Sequence, residues 1–214
     1  MKRIAFPLGL LLFLSFSVAA THADVIFATG TVSQPNEQAI DLTVGATGNT
    51  LYGTTDTTGW PVDIYSADDP LKVYAHGTSF GIQTDHGPGD PDTSVNDVTI
   101  NVPGGTYQDL LGSVYGVFAE NPYVSFTVYT TDSTTPWTWT FEGSRADDGN
   151  VDNYWSIYTT GGEQISSVTI DGKFYELRDL DMSGPAATTT PEPSSMMLLA
   201  SGLLGAARLC KKKF

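Results

Sequence analysis

The chain has 214 residues, with 24 acidic and 10 basic side chains, a formal net charge of −14 and one cysteine, Cys210. The bases collect at the ends, so residues 24–190 keep only Lys72, Arg145, Lys173 and Arg178 against 23 acids, a net −19. That balance excludes sequence-independent nucleic-acid binding, which needs a basic footprint, and the cysteine-free span excludes disulfides, a thiol nucleophile and a thiolate metal site.

The first element is a secretory signal peptide over residues 1–23. Lys2 and Arg3 make a positive start, and residues 4–18 are apolar apart from Pro7, Gly9, Ser15 and Ser17. Thr21-His22-Ala23 is a small-residue cleavage site, with cleavage expected after Ala23 or, second, after Ala20. The apolar run is short for a membrane span.

Residues 24–184 read as one all-β domain, with short apolar–polar alternations separated by turn signals. Strands are expected at 25–32, 39–44, 62–65, 71–75, 80–83, 95–102, 114–118, 124–130, 137–141, 154–159, 165–170 and 174–178. Ile40, Leu42 and Val44 alternate with Asp41 and Thr43, and Val98, Ile100 and Val102 with Thr99 and Asn101. Asp171-Gly172 between two such runs is a two-residue hairpin signal, since glycine supplies positive φ. No 3.6-residue apolar period persists over three turns; the nearest helical candidate is a single turn at 107–111.

Within this domain four features bear on chemistry. Gly77-Thr78-Ser79-Phe80-Gly81 matches the G-x-S-x-G nucleophile elbow, with His76 beside it and His86 nearby. The elbow needs a strand, a sharp turn and a helix, and the Pro and Gly of residues 82–89 forbid that helix, so a serine hydrolase is the weakest alternative. Asp85, Asp90, Asp92 and Asp97 crowd one loop, and Asp147, Asp148, Asn150 and Asp152 another. Asp148-x-Asn150-x-Asp152 has the alternate oxygen spacing of a calcium loop, although Asn153 and Thr159 replace the Gly and Glu of an EF-hand. Turn chemistry alone also accounts for such clusters. Trp137, Trp139 and Phe141 share one strand face: exposed, they would be a platform for sugar rings, and buried, they are core. Trp60, Trp155 and Tyr158 carry the same ambiguity. Arg178 is expected to pair with an acid on the sheet, and His76, in register with Lys72 and Tyr74, to lie at the surface.

Residues 185–190 form a Thr- and Pro-containing linker. After it come Pro191-Glu192-Pro193, an apolar stretch over 194–209 and the basic end with Arg208, Lys211, Lys212 and Lys213. As a helix that stretch would reach roughly 24 Å at about 1.5 Å per residue, short of a hydrocarbon core about 30 Å thick, with the flanking bases snorkelling to the far interface. Positive charge beyond the stretch holds that end on the cytoplasmic side and leaves the domain outside. The two prolines keep the motif extended and accessible.

Motif, apolar stretch and basic end, in that order behind a signal peptide, resemble the PEP-CTERM sorting signal of Gram-negative bacteria over about residues 190–214. The resemblance implies recognition of Pro191, Glu192 and Pro193 by an exosortase, a membrane transpeptidase that removes the tail. It also implies export to the envelope or the extracellular polysaccharide matrix. A second resemblance covers 45–184. Gly48-Asn49-Thr50-Leu51-Tyr52-Gly53, Val124-Ser125-Phe126-Thr127-Val128, Asn153-Tyr154-Trp155-Ser156-Ile157 and Phe174-Tyr175-Glu176-Leu177-Arg178-Asp179 occur in the order seen in β-sandwich domains ahead of such signals. It implies an antiparallel, jelly-roll-like β-sandwich with no assigned activity.

The expectation is therefore a non-enzymatic exported protein with a signal peptide (1–23), a β-sandwich (24–184), a linker (185–190) and a sorting signal with a short transmembrane helix (191–214). Its cofactor set is empty apart from calcium as a possibility at Asp148, Asn150 and Asp152. Its partners are the exosortase and, in the alternative reading, an extracellular polysaccharide held on Trp137 and Trp139. The acidic surface disfavours anionic membranes and polysaccharides unless divalent cations bridge them.

Overall fold

Alternating side chains build strands throughout residues 24–76, 79–85, 94–144 and 152–184, the part of the chain that the computed structural model describes. In chain order these are β1 (Val25–Thr29), β2 (Glu37–Leu42), β3 (Thr47–Gly48), β4 (Thr50–Thr55), β5 (Pro61–Ser66), β6 (Leu71–His76) and β7 (Ser79–Thr84). Then follow β8 (Val98–Asn101), β9 (Asp109–Val117), β10 (Tyr123–Thr130), β11 (Trp137–Glu142), β12 (Asp152–Thr159), β13 (Ile165–Gly172) and β14 (Phe174–Ser183). No helix occurs among the described residues. The signal peptide, linker and C-terminal apolar stretch lie outside them.

The pairings are antiparallel and join the strands in the order β1-β12-β9-β14-β2-β4-β5-β8-β13-β10-β11, with β7, β6 and β3 branching from β14. The all-β antiparallel class is as expected, but the strands form one continuous 14-stranded sheet rather than two separate ones. The corner is β2. Its Glu37, Gln38 and Ala39 pair with β14, and its Ile40, Asp41 and Leu42 pair with β4. The sheet curls until its two end strands meet through side chains: the rings of Phe27 on β1 and Trp139 on β11 lie 5.5 Å apart. The result is a nearly closed barrel, which protects edges that an open sheet would expose.

The inward residues fill this barrel. Val62 and Ile64 of β5, Val98 and Ile100 of β8, Val168 and Ile170 of β13 and Val124, Phe126 and Val128 of β10 are fully buried together with Trp155, Ile157 and Phe174. Each such side chain contributes roughly 1.5–3 kcal/mol on burial. Tyr107 is buried among them and donates its hydroxyl to the Ile100 carbonyl at 3.0 Å, and burial pushes its phenol pKa well above the ordinary tyrosine range.

Three local expectations are corrected. Residues 107–111 make no helical turn: Tyr107 bridges to Ile165, and Asp109 opens β9. Asp171-Gly172 is not a hairpin, because β13 pairs with β10 and β8 while β14 pairs with β9, β7 and β2. The chain passes from one side of the barrel to the other at Lys173. Residues 47–55, with no strand expected, supply β3 and β4.

Strand direction places both ends of the described domain at one pole. Val25 pairs with Thr159, Tyr158 with Asp109, and Asp109 with Ser183. The starts of β1 and the end of β14 are thus three strand spacings apart, about 14 Å. The flanks of both acidic loops, Asp85 and Ser94 for one and Ser144 and Asp152 for the other, lie at the opposite pole, beyond the ends of β7, β11 and β12.

Candidate functional site

The outward face of β12, β9 and β14 is unusually polar for a covered surface. The segment from Gly30 to Asn36 crosses over it. Ser156 donates its hydroxyl to the Gly30 carbonyl at 2.8 Å and accepts from the Val32 N–H at 2.8 Å. Under and beside this strap lie two groups of charged residues.

The first is centred on Arg178, only 7% exposed. One end of its guanidinium donates to the Glu176 carboxylate, and Nη1 donates to Asp152 Oδ1 at 3.3 Å. The plane lies 3.7 Å above the centre of the Tyr115 ring, a stacking that suits arginine better than lysine. Glu176 is 3% exposed and fits because β7 presents Gly81 to it. The expected pairing of Arg178 with acids on the sheet is as found.

The second group lies at the pole where β14 ends. Asp109 Oδ1 accepts from the Ser183 N–H at 2.8 Å. Burial pushes the Asp109 carboxyl up, hydrogen bonding from Ser183 pulls it back down, and the charge of Glu37 adds to the rise. Asp181 is pushed up to about 6, first by burial and then by the charges of Glu37, Asp179, Asp56 and Asp109. Asp179 sits at positive φ (50°) where the β14–β9 register shifts between Arg178 and Asp181. A groove of about 340 Å³ opens beside these acids, lined by Ile40, Leu42, Phe80, Asp41, Asp179 and Asp181 among others. At the opposite pole burial pushes Asp97 up, with Asp171 and Asp68 adding to it.

The residues singled out in the sequence fall as follows. Trp137, Trp139 and Phe141 alternate inward along β11, half-buried and packed against the core. Trp139 lies 5.5 Å from Phe27, 5.5 Å from Phe126 and 5.3 Å from Phe141, centre to centre. The aromatics turned outward are tyrosines instead: Tyr52 (74% exposed), Tyr65, Tyr123 and Tyr129. Alternation marked these only by their odd positions between apolar neighbours. The strands beside them carry serine and threonine outward, hydrogen-bonded in pairs such as Thr99 with Thr169 (2.9 Å) and Ser125 with Thr140 (2.8 Å).

Of the calcium-loop residues, Asp148 and Asn150 lie outside the described residues, and Asp152 opens β12 with its carboxylate on Arg178. No group of three or more His, Cys, Asp or Glu side chains suited to a metal ion is found among the described residues. Ser79 opens β7, in register with His76, and strand rather than helix follows it. Gly77, Thr78, His86, Asp90 and Asp92 lie outside the described residues, as do Asp147 and Pro191, Glu192 and Pro193. Lys72 pairs with Asp85 at 3.0 Å, which raises the lysine pKa.

Fold and chain ends together define an all-β domain carried on a C-terminal segment that leaves from the pole where the domain also begins. That segment is a sorting signal: the family model described as PEP-CTERM protein-sorting motif matches residues 189–213. The motif implies export and membrane-associated sorting in Gram-negative bacteria, with processing by an exosortase. Comparison with curated proteins and with solved structures finds no match.

Proposed function

We propose that this chain is a non-catalytic exported protein. An exosortase sorts and cleaves it at Pro191-Glu192-Pro193, and its β domain serves a structural or binding role in the cell surface or exopolysaccharide layer. The observation that carries this reading is the sorting motif at 189–213. The shared pole of β1 and β14 supports it. A domain tethered near the membrane at that pole presents its opposite, acid-rich pole outward. The exposed tyrosines among serine and threonine hydroxyls support a polysaccharide partner, because rings stack on sugar C–H faces while hydroxyls exchange hydrogen bonds.

The test is mass spectrometry of the mature C-terminus, in cells with and without the exosortase. A wild-type C-terminus near residue 191, restored to the full tail when the exosortase is deleted, is expected. Recovery of intact Phe214 from mature wild-type protein overturns the reading.

A further inference from the structure

The outward face of the sheet from β4 to β10 carries side chains in register across its strands. One row reads Tyr52 on β4, Asp63 on β5, Asn101 on β8, Ser167 on β13 and Tyr129 on β10. The row beside it reads Thr50, Tyr65, Thr99, Thr169 and Thr127 on the same strands, and Thr138 on β11. Tyr52, Tyr65 and Tyr129 are exposed, and the residues between them are half-buried. Along the sheet Tyr52 and Tyr129 stand four strand spacings apart, about 19 Å, and Tyr65 and Tyr129 three, about 14 Å. The floor between them is made of amide and hydroxyl groups, in which Thr99 and Thr169 hydrogen-bond to each other at 2.9 Å. That contact uses one of the two O–H donors and leaves the other for a partner. Asp63 is the one charged side chain in the two rows, and neither row holds a base, although the domain is strongly acidic.

We propose that this face binds an uncharged polysaccharide laid across the strands. Sugar rings rest on Tyr52 and Tyr65 at one end and on Tyr129 at the other, while Asn101, Ser167, Thr99 and Thr169 exchange hydrogen bonds with the chain between them. Such binding supplies the ligand class for the surface or exopolysaccharide role proposed above, and it rests on that reading. Tyrosine offers a broad ring and a polar tip for two side-chain torsions, so little entropy is lost on contact. Strands hold such groups more precisely than loops do. The span suits a stretch of oligosaccharide rather than a single sugar. Charge selects the class of polysaccharide. With Asp63 in the floor, Asp171 and Glu142 further along the same face and no base in the two rows, an anionic chain is repelled and a neutral one is not. A protein partner fits less well, because the centre of a protein interface is apolar and this centre is hydroxyl and amide. A second copy of the chain would bring its own acids against these.

The test uses the exported protein recovered from the envelope, together with the exopolysaccharide of the same cells split by anion exchange into a neutral and an acidic fraction. In native gels containing each fraction, the neutral one is expected to retard the protein, equally at low and high salt, since no charge pairing is involved. Tyr65→Ala and Tyr129→Ala are each expected to weaken binding by about fivefold or more. Tyr65→Phe, which keeps the ring, is expected to stay within about twofold of wild type, and Tyr154→Ala, on β12 away from this face, to leave binding unchanged. These are surface positions, where substitution leaves the fold intact. The proposal is overturned by the absence of retardation in the neutral fraction, by retardation in the acidic fraction alone, by full binding in Tyr65→Ala or by an equal loss in Tyr154→Ala. Concentration-dependent dimerisation that Tyr65→Ala abolishes also overturns it, since the face is then a contact between copies. The mass of the mature C-terminus reports exosortase processing separately, so a correctly processed protein that fails to bind sinks this proposal and leaves the sorting reading standing.

Discussion

The carboxylate of Glu176 on β14 occupies the space that a side chain at Gly81 on β7 would fill. Gly81 is the last residue of the G-x-S-x-G run, so a glycine that resembles part of a catalytic elbow has a packing role. It lets a buried acid lie flat across the neighbouring strand and meet Arg178.

Gly81→Ala is expected to destabilise the domain by about 1–3 kcal/mol, the usual range for forcing atoms into a filled site. Urea unfolding would show a lower midpoint at unchanged slope. Pairing it with Glu176→Ala, which empties the space, should recover part of the midpoint; an equal loss in both backgrounds would mean that Glu176 is not the obstacle.

Arg178→Met removes the cation from two acids, one of them nearly fully buried. A loss of about 3–5 kcal/mol is expected, because a buried carboxylate is left uncompensated. Adding Glu176→Gln should restore a substantial part, read as a coupling energy in a double-mutant cycle. Independent, additive losses would contradict the pairing.

Asp181 has its folded-state pKa raised to about 6 from an ordinary value of 3.8. Between those values the folded state binds more protons than the unfolded one, so stability falls as pH rises through about 6 and is fully regained below 3.8. Asp181→Asn should therefore stabilise the domain at neutral pH by on the order of 1 kcal/mol, after allowing for solvent screening of a partly exposed group. It should also flatten the stability profile between pH 4 and 6. Chemical denaturation across that window, in the mutant and the wild type, checks both.

Trp139 joins the two end strands of the sheet through Phe27 and braces Phe126 and Phe141. Trp139→Ala is expected to lose about 3 kcal/mol and to speed hydrogen exchange selectively in β1 and β11, whose meeting it supports. A neutral effect on stability with unchanged exchange would show that the ring does not hold the barrel together.

Much of the strand pattern was legible because burial on one face imposes a period of two: Val62 and Ile64, or Val98 and Ile100, announce themselves. β4 was not, because Gly53 interrupts its apolar pattern. A Cβ there would come within 2.7 Å of Leu42 Cδ2 and 2.9 Å of the Asp41 carbonyl, so the glycine answers to a neighbouring strand and not to a local preference. Gly172 misled for the same reason. It sits where a Cβ would lie 2.9 Å from the Tyr123 carbonyl, a close approach that reads in sequence like a turn. The array around Tyr65 was hidden because its members come from β4, β5, β8, β13 and β10, separated along the chain and united only by strand pairing.

By itself the sequence determined the all-β class, the partition of charge and the sorting motif at 189–213, since each depends on residue types in local order. Tertiary structure decided which strands pair, that β2 turns the corner between β14 and β4, and that β1 and β14 share a pole. Alternation tells a strand which face to bury but not beside which strand to bury it. That choice is made by the fit of one side chain against another across the barrel, as Trp139 fits Phe27 and Gly81 makes room for Glu176.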